Sequence, residues 1–372
     1  MPVYDLIVNA GRVFCADTGL DGPGSVAVTG DRIVASGPDV DGSSTQLLSY
    51  PDATLLPGLV DMHAHPGLPE SRYGVDPDKE FLPRCVTTVL SQGDAGALDL
   101  DAYRQRVIAA SKTRVLLAIN LSKNGEMNPN ANIETIEDAD ANACVAAIER
   151  GGTDIWGIAF NTGPHNPVDP QDVMARGLET AERSGKPILF GSRMVDDWTL
   201  ADQLTLLRPG DVLTYCFNSR AQNLLEGGQV KQTVRDARRR GILFDVGHGM
   251  ASFTFETSEP CIAQDFRPDT ISSDQYRRHV GSVPQHDLLR TISKLIAAGL
   301  AEREAFTRVT ARPAELMGLA GEIGTLAPGA CADLAVLRFN ESAMPMVDVD
   351  GRKRPGGCWE PVATVRAGEI IN

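Results

Sequence analysis

Residues 212–249 read VLTYCFNSRAQNLLEGGQVKQTVRDARRRGILFDVGHG, and this stretch decides the fold. Two short β-prone runs, 212–219 and 242–249, each end in polar residues or glycine. Between them QVKQTVRDARRRG spaces its apolar residues three and four apart, gathers arginines toward its end and stops on Gly241. That is the pattern of a helix whose dipole favours cations at its C-terminus. Strand, helix, strand in this order is the crossover unit of a parallel sheet.

The unit recurs on both sides. TLLPGLVDMHAH (54–65), TTVLSQGD (87–94), VLLAINL (115–121), IWGIAFNTG (155–163), PILFGSR (187–193) and TISSD (270–274) complete a set of eight runs. AYRQRVIAASK, NACVAAIERG and PQDVMARGLETAERSG are helical stretches between them. Runs this short and this apolar suit strands buried on both faces. Eight such units over 57–319 predict an α/β fold, a closed (β/α)8 TIM barrel. An open doubly wound sheet fits less well, because no GxGxxG follows the first strand and eight units exceed its usual complement. In a barrel the chemistry sits at the C-terminal ends of the strands.

The two ends of the chain have another texture. DLIVNAGRVF and SVAVTGDRIVAS near the start, and IGTLAPGACADLAVLRF and VATVRAGEII near the end, are short strands separated by turn residues. Segments 1–56 and 320–372 are expected to fold together as one small β-domain.

The chain has 372 residues, 42% hydrophobic and 23% charged, which excludes a single small module and the disordered and fibrous classes. Lysine and arginine number 35 against 49 acidic residues, a net charge of −14. Such a field repels polyanions, so no nucleic-acid or membrane partner is expected and the partner is a small-molecule substrate. Seven cysteines without CxxC spacing read as reduced core thiols. No leader-like segment or membrane-length apolar run is legible, and the expected location is cytoplasmic. A barrel of this size also allows a homo-oligomer, though no interface seam is readable.

His63 and His65 close the first barrel run. Two residues apart on a strand they face the same way, so both imidazoles can reach one metal ion, although an HxH also arises in packed cores. Asp274 ends the eighth run, and strand eight adjoins strand one in a closed barrel. Its carboxylate is expected to face the histidines; the competing reading is a cap or Asx turn leaving the strand.

LLPGLVDMHAH, VTTVLSQGDAG, FDVGHGMASF, PDTISSD, VTARPAELMGL and GTLAPGACADLAVL together resemble the amidohydrolase superfamily over nearly the whole chain. The likeness is greatest to its dihydroorotase-like and N-acyl-amino-acid deacetylase-like branches. It implies metal-assisted hydrolysis of amide, ester or cyclic amide bonds. It also implies a carbamylated lysine on strand four, bridging two metals, and histidines ending strands five and six. At those places stand Ala159 or Phe160, Gly191 or its neighbours, and Tyr215. That leaves His63, His65 and Asp274 for a single divalent ion, zinc first with manganese or iron as alternatives, or for none.

By the same resemblance His248, in the GHG element, lines the pocket and acts on the substrate or behind the ligands; a turn histidine bonded to backbone explains it equally. His165 either folds over the mouth or sits on a surface loop. His279 is pocket-facing or solvated, and His286 belongs to a cap region. Asp94, Lys123, Glu126, Arg193 and Arg220 crowd the strand ends, and Arg193, His165, Asp94 and Lys123 are the candidates for substrate contact. A guanidinium such as Arg193 can hold a carboxylate bidentately, or it can form a rim salt bridge with Asp196 or Asp197. Tyr215 either donates to an oxyanion or fills space.

The expected reaction uses a metal to lower the pKa of water. Asp274 carries the proton, and Tyr215 or His248 stabilises the oxyanion. The competing classes are a metal-free ligand-binding barrel and a lyase or isomerase that uses the ion as a Lewis acid.

Overall fold

Short apolar runs punctuate the N-terminal segment, LIV at 6–8, VFC at 13–15 and VAV at 26–28, and each becomes the buried part of a strand. A computed structural model describes residues 2–127 and 132–371. β1 (Val3–Cys15) pairs antiparallel with β2 (Leu20–Thr29), which pairs with β3 (Arg32–Gly37), and β4 (Ser43–Pro57) lies parallel to β1.

At Gly58 the chain changes sheets, so the run 54–65 is two strands rather than one. β5 (Leu59–Ala64), β6 (Val86–Gln92), β7 (Arg114–Asn120), β8 (Ile155–Asn161), β9 (Ile188–Gly191) and β10 (Val212–Thr214) pair in parallel. The small hairpin β11 (Leu225–Glu226) and β12 (Gln229–Val230) intervenes before β13 (Leu243–Phe244), which joins β10 in parallel. Val60, Met62, Leu90, Ala118, Ala159, Leu189 and Val212, from six of these strands, pack in one buried cluster. The barrel therefore encloses side chains and is not a pore.

The eighth run closes the ring without forming a continuous ladder. Thr270 bridges Asp245 beyond β13, and Gln275 bridges Ala64 of β5, both in parallel. Asp274 N donates to His63 O at 2.7 Å and His65 N to Gln275 O at 2.9 Å. The first and last barrel segments are thus neighbours, as a closed barrel requires.

The crossover helices follow their sequence signals. Helix Pro170–Ser184 begins behind the Asp169 cap, with proline in its first turn, and ends at Gly185. Helix Gln232–Arg239 buries Val234 and Ala237. The stretch 102–112 departs from expectation: it is α-helical only over Leu100–Tyr103 and then takes a π turn over Arg104–Ile108. Tyr103 is fully buried with its hydroxyl donating to Pro66 O, and Arg104 pairs with Asp154. Apolar spacing cannot announce such a widened turn.

The C-terminal segment supplies β14 (Leu334–Asn340), the short pair β15 (Met346–Val347) and β16 (Lys353–Arg354), then β17 (Cys358–Arg366) and β18 (Glu369–Ile371). β14 runs antiparallel to β4, with Leu334 opposite Pro57. One seven-stranded sheet, ordered β18-β17-β14-β4-β1-β2-β3, therefore holds strands from both ends of the chain. All seven cysteines are buried free thiols. Among the described residues no helix is long and apolar enough to cross a membrane.

Candidate active site

The Nδ1 of each strand-one imidazole is pinned from behind. His63 Nδ1 lies 2.8 Å from Thr214 Oγ1, whose single proton is donated to Asp245 Oδ2 at 2.8 Å. Thr214 must therefore accept from His63, so Nδ1 carries the hydrogen and Nε2 is left with its lone pair. Asp245 is held in turn by the hydroxyls of Thr270 and Ser272, each at 2.6 Å. His65 Nδ1 faces Asp94 Oδ1 at 3.1 Å, which fixes the same tautomer, and Ser91 donates to the other Asp94 oxygen at 2.6 Å.

The two Nε2 atoms point at one carboxylate. Asp274 Oδ1 is 3.5 Å from His63 Nε2 and 3.3 Å from His65 Nε2, and the three ligand atoms lie within 4.8 Å of one another. Three lone-pair bearers converge, and among the described residues the one hydroxyl set against them is that of Tyr215, 3.4 Å from His63 Nε2. Bonds of about 2.0–2.1 Å to a tetrahedral ion place its ligands about 3.4 Å apart, so the donor set and its spacing fit a divalent metal. The ionisation of these groups shows the same demand for positive charge. Burial opposes protonation of both histidines, yet Asp274, with Asp245 for His63 and Asp94 for His65, pushes His63 up to about 9 and His65 well above its ordinary value. Burial likewise works to raise Asp274, but the two imidazoles hold it well below the usual carboxylate range.

The glycines of GHG are part of this geometry. Gly247 and Gly249 both have positive φ, 50° and 47°. A methyl on Gly247 would overlap Thr214 Oγ1, and one on Gly249 would overlap Asp274 Oδ2. Only glycine lets the strand-seven loop pass so close to Thr214 and Asp274. Tyr215 (φ 64°) and Asp274 (φ 48°) also hold left-handed backbone, a cost that non-glycine residues bear chiefly at functional sites. The Tyr215 hydroxyl stands 3.4 Å from His63 Nε2.

A cavity of about 340 Å³ opens over the cluster, and its wall includes His65, Asp274, Tyr215, Glu126, Asn132 and His165. His165 thus faces the cavity; burial lowers its pKa, with Arg72 and Arg193 adding to the effect. The remaining expected contacts are committed elsewhere. Asp94 spends its oxygens on His65 and Ser91, so it orients the His65 ring and does not stand on the cavity wall. Lys123 Nζ donates to Glu137 O, away from the cavity wall. Arg193 makes the rim salt bridge, to Asp197 at 2.5 Å, and bonds Thr162 O.

His248 does not line the cavity. Its Nδ1 faces Gly249 O at 2.8 Å, its Nε2 takes a hydrogen bond from Lys294 at 2.8 Å, and its ring stacks on Phe253. His279 is buried and His286 half-buried beside it, their rings stacked at 3.9 Å. Ala159 sits in the barrel's apolar cluster, Phe160 packs on Phe190, and Gly191 backs against Asn161 and Tyr215. Sequence reasoning missed Thr214, Asp245, Asn132, Tyr276 and Lys294. Thr214 and Asp245 are the first polar residues after the apolar starts of the runs 212–219 and 242–249, and the strands β10 and β13 end there; the other three carry no local signal.

The polar cluster thus lies where the closing segment of a parallel eight-segment barrel meets its first strand. No protein-family model matches the sequence. The chain is 26% identical over 377 residues to a protein named deacetylase from Enterococcus faecalis, covering 99% of each. It superposes on an adenine deaminase structure with a TM-score of 0.89 at 26% identity, covering 99% of this chain and 100% of that one. A dihydroorotase structure matches with a TM-score of 0.87 at 24% identity, covering 98% of each. In sequence and fold the chain is thus similar to hydrolases of the amidohydrolase superfamily, with proteins named deacetylase among its relatives.

Proposed function

We propose that the protein hydrolyses an amide, ester or cyclic amide bond of a small molecule with the help of one divalent ion, zinc first, held by His63, His65 and Asp274. The observation that carries this reading is the convergence of two fixed Nε2 lone pairs and one carboxylate at a cavity floor. An ion there would polarise a carbonyl and make water more acidic. Thr214 and Asp94 hold the imidazoles in the ligating tautomer, as supports behind metal-binding histidines commonly do. Asp274 takes the proton from the attacking water and returns it to the leaving group. The Tyr215 phenol, fixed beside His63, donates to the oxygen on which negative charge develops. With Ala159 and Gly191 unable to ligate, one ion per chain is the complement.

A second reading, a ligand-binding barrel without hydrolysis, is favoured by those same residues. A panel of N-acetyl amino acids, N-acetyl amines, hydantoins and aryl acetates separates the two. Turnover of one class, with oxygen from labelled water in the product and loss on chelation, supports the hydrolase. Ligand binding without turnover across the panel supports the second reading.

A further inference from the structure

Glu126 and Asn132 form an acceptor pair at the cavity wall for which the proposed reaction has no use. Glu126 is 2% exposed and Asn132 7%. Asn132 Nδ2 donates to Glu126 Oε1 at 2.6 Å, which leaves Glu126 Oε2 and Asn132 Oδ1 buried with no hydrogen-bond partner among the described residues. A buried acceptor left unmatched costs about 1–3 kcal/mol, more for a charged group, so two side by side on a cavity wall mark where a ligand's donors belong.

The rest of the wall carries no fixed positive side chain. Tyr215 and Tyr276 present aromatic rings, and no lysine or arginine is among the described residues lining the cavity. Arg193 is committed to Asp197, and Arg72 lies over the Tyr73 ring at 5.0 Å. No guanidinium or ammonium on the wall offers a substrate carboxylate an ion pair, whereas a substrate ammonium group offers up to three N–H donors to the Glu126–Asn132 acceptors and is attracted to aromatic faces.

We propose that Glu126 and Asn132 are a specificity site for a protonated amine, so that the substrate is an acylated or cyclic amide compound carrying a free cationic nitrogen. The substrate part of this inference rests on the hydrolytic reading above; the binding part does not. It is tested by calorimetric titration of the intact, metal-replete protein with three probes of similar size: cyclohexylammonium, cyclohexanol and cyclohexanecarboxylate. Cyclohexylammonium is expected to bind at least tenfold more tightly than either of the others. Glu126→Gln is expected to remove that preference while leaving cyclohexanol binding and metal content unchanged.

Binding of the carboxylate or the alcohol as tight as that of the ammonium overturns the proposal, as does failure of the ammonium to bind. So does a preference that survives in folded Glu126→Gln. The comparison on unmodified protein decides the matter even if that variant does not fold. Because titration reads no turnover, ammonium selectivity without hydrolysis would refute the hydrolase and leave this site standing, and hydrolysis without selectivity would do the reverse.

Discussion

Thr214 shows how one hydroxyl can set the chemistry of a ring it merely supports. It has one proton, the proton goes to Asp245, and the His63 tautomer follows. Tyr215, the next residue, holds an uncommon backbone conformation that brings its phenol to His63 instead of turning it away. If that phenol stabilises developing charge, Tyr215→Phe should lower kcat on any hydrolysed panel substrate by about 10²–10³, the effect of removing one such donor. Metal content should not change. Steady-state kinetics beside elemental analysis checks this; an unchanged kcat would make the ring a space-filler. His63, His65 and Asp274 were legible from sequence because strand alternation and barrel closure alone bring them together. Asn132 and Tyr276 were not, since each is an ordinary loop residue until the fold sets it against the cavity.

The GHG loop carries its meaning in its glycines more than in its histidine. His248 is turned into a buried cluster with Lys294, whereas Gly247 and Gly249 make room for Thr214 and Asp274. Gly249→Ala should therefore cost more than about 1 kcal/mol of stability, as side chains do where φ is positive, and should lower metal occupancy by displacing Asp274. Urea denaturation and metal titration would show it, and an alanine variant with native occupancy would remove the glycine from the site's design. The strands themselves were readable because burial on both faces makes their runs apolar throughout. TISSD was found by its place in the repeat, yet its hydrogen bonds reach both neighbours as single bridges instead of a ladder. The π turn at Arg104–Ile108 escaped because Tyr103 and Arg104 are anchored by partners distant in sequence, Pro66 and Asp154.

Across the whole molecule, a buried ammonium ties local packing to global stability. Burial, reinforced by Arg290 and opposed by Asp348 and Asp287, lowers Lys294 to about 7 from an ordinary 10.5. A cation whose folded pKa is depressed binds fewer protons folded than unfolded between those values. Its cost to the native state therefore accumulates as pH falls from 10.5 to 7 and is constant below. Lys294→Met removes that cost. Its stability relative to the unaltered protein should be greater at pH 7 than at pH 9.5 by on the order of 3 kcal/mol. The lost hydrogen bond to His248 contributes equally at both values and cancels in the difference. Parallel denaturation curves at the two pH values would contradict the assignment. The same molecular scale explains why the two ends of the chain could be matched from their texture while their pairing partners could not: register between β4 and β14 is set only when both segments meet.

The most direct measurement is the number of divalent ions per chain in protein prepared under metal-replete conditions, counted for the unaltered chain and for His63→Ala. One ion in the first and none in the second is the expected result. Two ions, or none in the unaltered protein, would contradict a single metal held between β5 and the segment that closes the barrel.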